Sequence, residues 1–290
     1  MKPERFVLLL LGFFLLFFVS ARDGMAQILP LEDVTPYVLP DPSSKKSSSS
    51  VITLKQLSVK ENEIIDEDNW FYSNELMIPL YLHPDQGTNT SRMAPYKLSS
   101  KVPLVIGNLK LIKGINDANG NIYLFGTSHL DVRYMVITDS QNSKVLHFLD
   151  FGNYLGVDKA GFDDWLMSIR WAAIEDNILY VSNAHPTYAE TTNGINAFIT
   201  AIDLTNYQAL WRSDYQVSNA YNFEIIGDNI VCGYGFTAEP DFIYILDKYT
   251  GKKLHTIKVA TGPDYIIRKD DRLYVRTYNR DYVFGIEGLR

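Results

Sequence analysis

One short pattern recurs three times in this chain and leaves few folds open to it. An Asp at the end of an apolar run opens a polar turn, and a Leu follows seven positions later: Asp139 and Leu146, Asp203 and Leu210, Asp247 and Leu254. The residue after that Leu is His147, Trp211 or His255. Self-similar units at intervals of roughly 40–60 residues are stacked supersecondary modules, and units built of strands give a β-propeller.

A common frame surrounds each copy. Asn121, Asn177, Asn229 and Arg272 each open an apolar strand, and Asp, Asn, Gly or other polar residues precede it at 116–119, 175–176, 227–228 and 269–271. Short polar turns between β-rich runs are hairpin signals, because Asn, Asp and Gly tolerate positive φ. The partner strands before these turns are 109–113, 168–173, 222–226 and 265–268. Third strands follow at 134–138, 197–202, 242–246 and 282–286, and fourth strands at 144–148, 208–212 and 253–258. Asn121 to Asp139 and Asn229 to Asp247 both span 18 positions, whereas Asn177 to Asp203 spans 26, which places an insertion in the loop after Val181.

The last unit ends after its third strand, so its fourth must come from elsewhere in the chain. Residues 51–59 and 101–106 are the candidate donors. Residues 60–108 fit no unit, although 76–82 reads as a strand, and they could form a degenerate fifth blade. The expected fold is all-β: a β-propeller of about four to five four-stranded antiparallel blades, closed by an N-terminal strand.

The first residues read as an export signal. Lys2 and Arg5 precede an uncharged apolar run over 6–19, with small residues suited to cleavage after Ala21 or Ala26. The run is shorter than the roughly 20 residues of a spanning helix. Residues 1–26 are therefore expected to be a signal peptide and 27–50 a flexible Ser/Pro-rich linker, since such a segment buries too little to offset its ordering entropy. Residues 51–108 form the N-terminal segment, as closing strand or degenerate blade, and 109–290 the repeats. The expected location is periplasmic or extracellular, with membrane contact only through an uncleaved signal segment. The single Cys232 excludes an intrachain disulfide, and its place in Ile230-Val231-Cys232 predicts a buried thiol. A net charge of −7 argues against a nucleic-acid or anionic-membrane partner.

The stretch Ile202-Asp203-Leu204-Thr205-Asn206-Tyr207-Gln208-Ala209-Leu210-Trp211 resembles the repeat of the quinoprotein-like (PQQ-like) β-propellers, and Tyr244-Ile245-Leu246-Asp247-Lys248-Tyr249-Thr250-Gly251-Lys252-Lys253-Leu254 resembles it more closely. The resemblance covers about 109–290 and implies that the Trp docks one blade on the next. It also implies that His147 and His255 stand where the family places that Trp. Enzymes of the superfamily hold a quinone over a vicinal disulfide, which one Cys cannot form, so the resemblance implies a non-enzymatic member without the quinone. Non-enzymatic relatives serve as protein docking platforms. A fold of this kind hosts many unrelated functions.

In this strand order the loops between second and third strands share one face with the links between blades. That face carries the candidate ligand-binding residues His129, Asp131, Asp163, Asp164, Trp165, His185, Tyr188, Glu190, Glu239 and Arg280. Two imidazoles with carboxylates leave a divalent cation open as a cofactor. No ligand spacing marks a metal motif, however, and no catalytic residue is assigned. The long link over 151–167, carrying Asp163, Asp164 and Trp165, is a further candidate site because long links are often functional. The function expected is a binding module that docks a protein or glycan of the cell envelope or exterior, without catalysis. The alternative is a small propeller enzyme of lactonase, lyase or glycosidase type that uses the His/carboxylate rim.

Overall fold

The computed structural model describes residues 28–30, 50–63, 67–78, 80–82, 102–128, 130–151 and 167–289. The signal peptide, His129, Asp163, Asp164 and Trp165 lie outside them, as does most of the expected linker.

Four antiparallel sheets make the ring. The first blade is β5 (Leu109–Asp117), β6 (Gly120–Ser128), β7 (Asp131–Thr138) and β8 (Val145–Asp150). The second is β9 (Ser168–Glu175), β10 (Ile178–Ala184), β11 (Phe198–Asp203) and β12 (Ala209–Arg212). The third is β13 (Glu224–Ile226), β14 (Asn229–Phe236), β15 (Glu239–Asp247) and β16 (Lys253–Lys258). The fourth is β17 (Pro263–Lys269), β18 (Arg272–Thr277) and β19 (Arg280–Glu287), completed by β2 (Thr53–Glu61). Strand β2 pairs antiparallel with β19 from Arg280↔Glu61 to Glu287↔Thr53, so the N-terminal strand closes the fold. Strand β1 (Ile28–Pro30), inside the stretch read as linker, pairs parallel with β8 on the outside of the first blade.

The recurrent Asp has a local cause. Asp139 Oδ1 accepts from Ser143 N (2.7 Å), Asp203 Oδ1 from Thr205 N (2.7 Å), and Asp247 Oδ1 from Tyr249 N (2.8 Å) and Thr250 N (2.9 Å). Each carboxylate thus closes the turn between third and fourth strands through its own downstream backbone, as Asx turns do. The recurrent Asn ties the start of the second strand down. Asn121 Nδ2 donates to Asp139 O (3.1 Å), Asn177 Nδ2 to Thr205 Oγ1 (2.8 Å) and Asn229 Nδ2 to Ser50 O (3.0 Å). In the β9–β10 hairpin, Asp176 and Asn177 adopt φ of 51° and 61°, the left-handed pair that a tight turn requires.

The residue after the repeat Leu sets the contact with the next blade. Trp211 is buried and donates Nε1–H to Lys248 O (3.1 Å) in the turn of the third blade. His147 Nδ1 lies 3.0 Å from Tyr207 OH in the turn of the second. His255 is exposed, because the fourth blade takes its last strand from the N-terminus and has no such turn to receive it. Between inner strands, side chains replace the missing ladder. Asp117 Oδ2 accepts from Ile174 N (3.1 Å), and Asn222 both donates to Ile266 O (2.5 Å) and accepts from Ile266 N (2.9 Å).

Residues 60–108 do not supply a fifth sheet among the described residues. They contain helix α1 (Glu67–Ser73) and the short strands β3 (Leu80–Leu82) and β4 (Val105–Ile106), both paired with β5. The strand expected over 76–82 is thus confined to its end. Trp70 and Phe71 of α1 pack on Tyr265 of β17, with ring centroids 6.3 and 5.0 Å apart. Lys269 Nζ donates to Asn74 O (3.1 Å) just beyond the helix. Because β3 pairs with β5, residues 67–82 run from the inner strand of the last blade to that of the first. The main core joins all four blades with Trp70, Phe71, Leu76 and Ile78. Cys232 is buried in it, and burial pushes its thiol up, as expected of a structural thiol. No helix among the described residues is long and apolar enough to cross a membrane.

Candidate functional site

The two ends of the ring differ. Turns between first and second strands, and between third and fourth, lie at one end. Connections between second and third strands, and the links between blades, lie at the other, the loop end.

The connection from β10 to β11 is the most built of the loops. Asn196 Oδ1 accepts from His185 N (2.8 Å) and its Nδ2 donates to Thr187 O (3.0 Å), folding the loop back on itself. A 3₁₀ turn at Ala189–Thr192 ends on Asn193, whose φ of 51° is left-handed. The third blade holds this loop from the side. Glu239 Oε1 accepts from Ala189 N (2.7 Å), its Oε2 accepts from Tyr234 OH, and the Tyr188 ring sits edge-on to Phe236 at 4.6 Å. Tyr188, Glu239 and the turn bearing Glu190 therefore form one cluster across two blades, with Glu190 itself exposed.

His185 stands at the base of the same loop, within reach of the Arg170 charge from β9. Its Nδ1 lies 2.9 Å from Thr187 Oγ1, and burial, reinforced by the charge of Arg170, pushes its imidazolium down. Arg170 on β9, Tyr221 in the link before β13 and Asp264 on β17 lie within electrostatic reach of one another at this end. Tyr221 N donates to Asp264 O (2.8 Å), and its ring lies 5.1 Å from Tyr265. Burial, then the neighbouring Glu67, pushes the Asp264 carboxyl up to about 6. Burial lowers the Arg170 guanidinium.

Asp131 and Arg280 are committed elsewhere. Asp131 Oδ1 lies 2.8 Å from Arg133 Nε, and its Oδ2 accepts from Thr127 Oγ1 (2.5 Å), so it locks its own hairpin. Gly126 is required there, since a Cβ would meet Asp131 O at 1.9 Å. Arg280 Nη1 lies 2.6 Å from Glu61 Oε1 and pins the closing strand. Among the described residues, no three His, Cys, Asp or Glu side chains stand where they could share a metal ion. Arg170 was not among the residues predicted from sequence. Its signal there is a cation set between Ile169 and Trp171 in a strand otherwise fit for the core.

The loop end carries one further feature. Among the described residues, each blade, or the link entering it, exposes one large apolar side chain in its loop-end connection: Leu130 (46%), Tyr188 (38%), Tyr221 (47%) and Tyr278 (58%). At the opposite end, among the described residues, the hairpin turns themselves expose none, while Met77 (62%) and Leu146 (38%) are exposed beside them.

Compared with known proteins, the chain matches no family model, and no curated protein matches it in sequence. Solved structures do resemble it. The computationally designed Ika4 protein aligns at 13% identity and TM-score 0.36, covering 57% of this chain and 84% of its own. The computationally designed Ika8 protein aligns at 12% and 0.38, covering 61% and 55%. BamB from Moraxella catarrhalis aligns at 16% and 0.37, covering 78% of this chain and 62% of its own.

Proposed function

We propose that this chain is an exported β-propeller docking module whose loop end receives a protein partner. One observation carries the reading: Leu130, Tyr188, Tyr221 and Tyr278, contributed from around the ring, are exposed at the same end. Exposed apolar side chains gathered on one face mark interaction sites, and Tyr is favoured at the centre of interfaces. The Glu239 and Phe236 contacts hold Tyr188 in place before binding, which lowers the ordering cost of association. Export rests on the basic start and apolar run of residues 1–19. Kinship with the non-enzymatic PQQ-like propellers rests on the Asp-closed turn and on Trp211 docked against the next blade.

The test is a variant carrying Leu130→Ser, Tyr188→Ser, Tyr221→Ser and Tyr278→Ser, assayed for retention of partners cross-linked in the native host. The Leu130 and Tyr278 changes should cost about 0.5 kcal/mol or less each, and those at Tyr188 and Tyr221, whose rings pack on Phe236 and Tyr265, about 1 kcal/mol each, so the fold survives and partner capture is lost. Undiminished capture by a folded quadruple variant overturns the reading. Loss of binding to a glycan array instead would name a sugar as the occupant.

A further inference from the structure

At the turn end the axis opens into a cavity of about 300 Å³, the lower bound of the roughly 300–1,000 Å³ typical of small-molecule sites. Inner strands β5, β9 and β13 of three successive blades form its wall, together with Met77 and Ile78 from the segment that bridges the last blade to the first. Asn222 and Phe223, from the link that also carries Tyr221, line it as well, but none of the four exposed side chains of the docking surface does.

The lining has a consistent chemistry. Ile78, Ile115, Trp171 and Phe223 give it apolar and aromatic surface, while among the described residues its ionisable groups are Asp117, Glu175 and Glu224, with no Lys, Arg or His. Two of the three acids are already engaged. Asp117 accepts from Asn119 N (2.9 Å) and Ile174 N (3.1 Å), and Glu175 pairs with Lys248 at 3.1 Å. Glu224, half-buried, accepts one backbone hydrogen bond from Arg268 N (3.2 Å) and feels the charge of Arg268, but makes no ion pair among the described residues. Lys113, outside the lining, lies 5.6 Å from the Trp171 ring centroid and donates to Arg170 O (2.6 Å).

A half-buried carboxylate that makes no ion pair gains from a cation brought into contact with it. Aromatic faces attract the same cation through their quadrupole. We infer that the axial cavity binds a small organic ammonium ion, with its nitrogen toward the Glu224 carboxylate and its carbon groups against Trp171 and Phe223.

Calorimetric titration of the purified chain with choline, and in parallel with its uncharged isostere 3,3-dimethylbutan-1-ol, tests the assignment at constant ionic strength. Saturable choline binding is expected, at least tenfold tighter than any binding of the alcohol. Glu224→Gln should weaken choline at least tenfold while keeping the acceptor for Arg268 N. Met77→Trp, at an exposed position of the lining, should block entry while leaving Glu224 and the core intact. The assignment is overturned by equal binding of choline and the alcohol, by the absence of saturable choline binding, or by choline binding unchanged in both variants.

Discussion

If the residue after each repeat Leu docks its blade on the turn of the next, truncating the three residues should give a graded series set by what each touches. Trp211 is 3% exposed, donates to Lys248 O and packs so closely on the turn that a Cβ on Gly251, at φ 70°, would lie 2.4 Å from its ring. Trp211→Ala therefore opens a cavity and orphans a buried carbonyl, for a loss of about 3–5 kcal/mol, of which about 1 is the hydrogen bond. Trp211→Phe keeps most of the packing and should cost about 1–2 kcal/mol. His147 is half-buried with one contact of its ring nitrogen to Tyr207, so His147→Ala should cost about 1 kcal/mol. His255 is exposed, and His255→Ala should fall within about 0.5 kcal/mol of the parent. Urea titration reads the series directly. By melting, at about 2–4 °C per kcal/mol for a domain of this size, Trp211→Ala should drop Tm by about 6–20 °C. A His255→Ala cost equal to that of His147→Ala, or a Trp211→Ala cost below about 2 kcal/mol, would refute the docking rule.

Three other outcomes test the rest of the architecture. A chain beginning at residue 62 loses β2 and the buried Ile52, so circular dichroism should show it unfolded, with a peptide of residues 50–62 restoring the native spectrum in trans. Asp281→Ala leaves the buried Arg276 without its carboxylate, now 3.0 Å away, and should cost about 3–5 kcal/mol in denaturant titration. Stability should also pass through a minimum near pH 7. Burial pushes the Glu224 carboxyl up to about 7, so between its unfolded value of 4.5 and 7 the folded state holds a proton that the unfolded state has released, and stability falls as pH rises. Burial, then Arg170, brings the Lys113 ammonium down to about 7, so between 7 and 10.5 the folded state has released a proton that the unfolded state keeps, and stability rises. Relative to the parent, Glu224→Gln should flatten the acid limb and Lys113→Met the alkaline limb, each by on the order of 2 kcal/mol.

What was legible in the sequence is what local chemistry writes there. Asp139, Asp203 and Asp247 close turns with their own downstream backbone, so the repeat and every strand of the four blades could be read from neighbours in sequence. The closing strand was legible by subtraction only as far as two stretches, 51–59 and 101–106, since the fourth blade lacked a strand, and the structure supplies it from the first of them. Helix α1 was not, because Trp70 and Phe71 are held by Tyr265, nearly 200 residues away, and nothing within residues 67–73 declares that contact. The same distance hid the fate of Arg280, which reads as a free loop cation until β2 brings Glu61 beside it. Lys113, Arg170 and Glu224 look like polar interruptions of apolar strands. Lys113 meets the Arg170 carbonyl, and Glu224 meets the cavity, only where the inner strands converge, which no single strand records.

The central claim, that a partner docks on the loop end, is tested most directly by a photo-crosslinking scan in the native host. A benzophenone side chain is placed in turn at positions 130, 188, 221 and 278, and at turn-end positions 118, 142, 206 and 270. The account predicts one discrete cross-linked product from the loop-end set and none from the turn-end set. Cross-links equally frequent at both ends, or confined to the turn end, would contradict it.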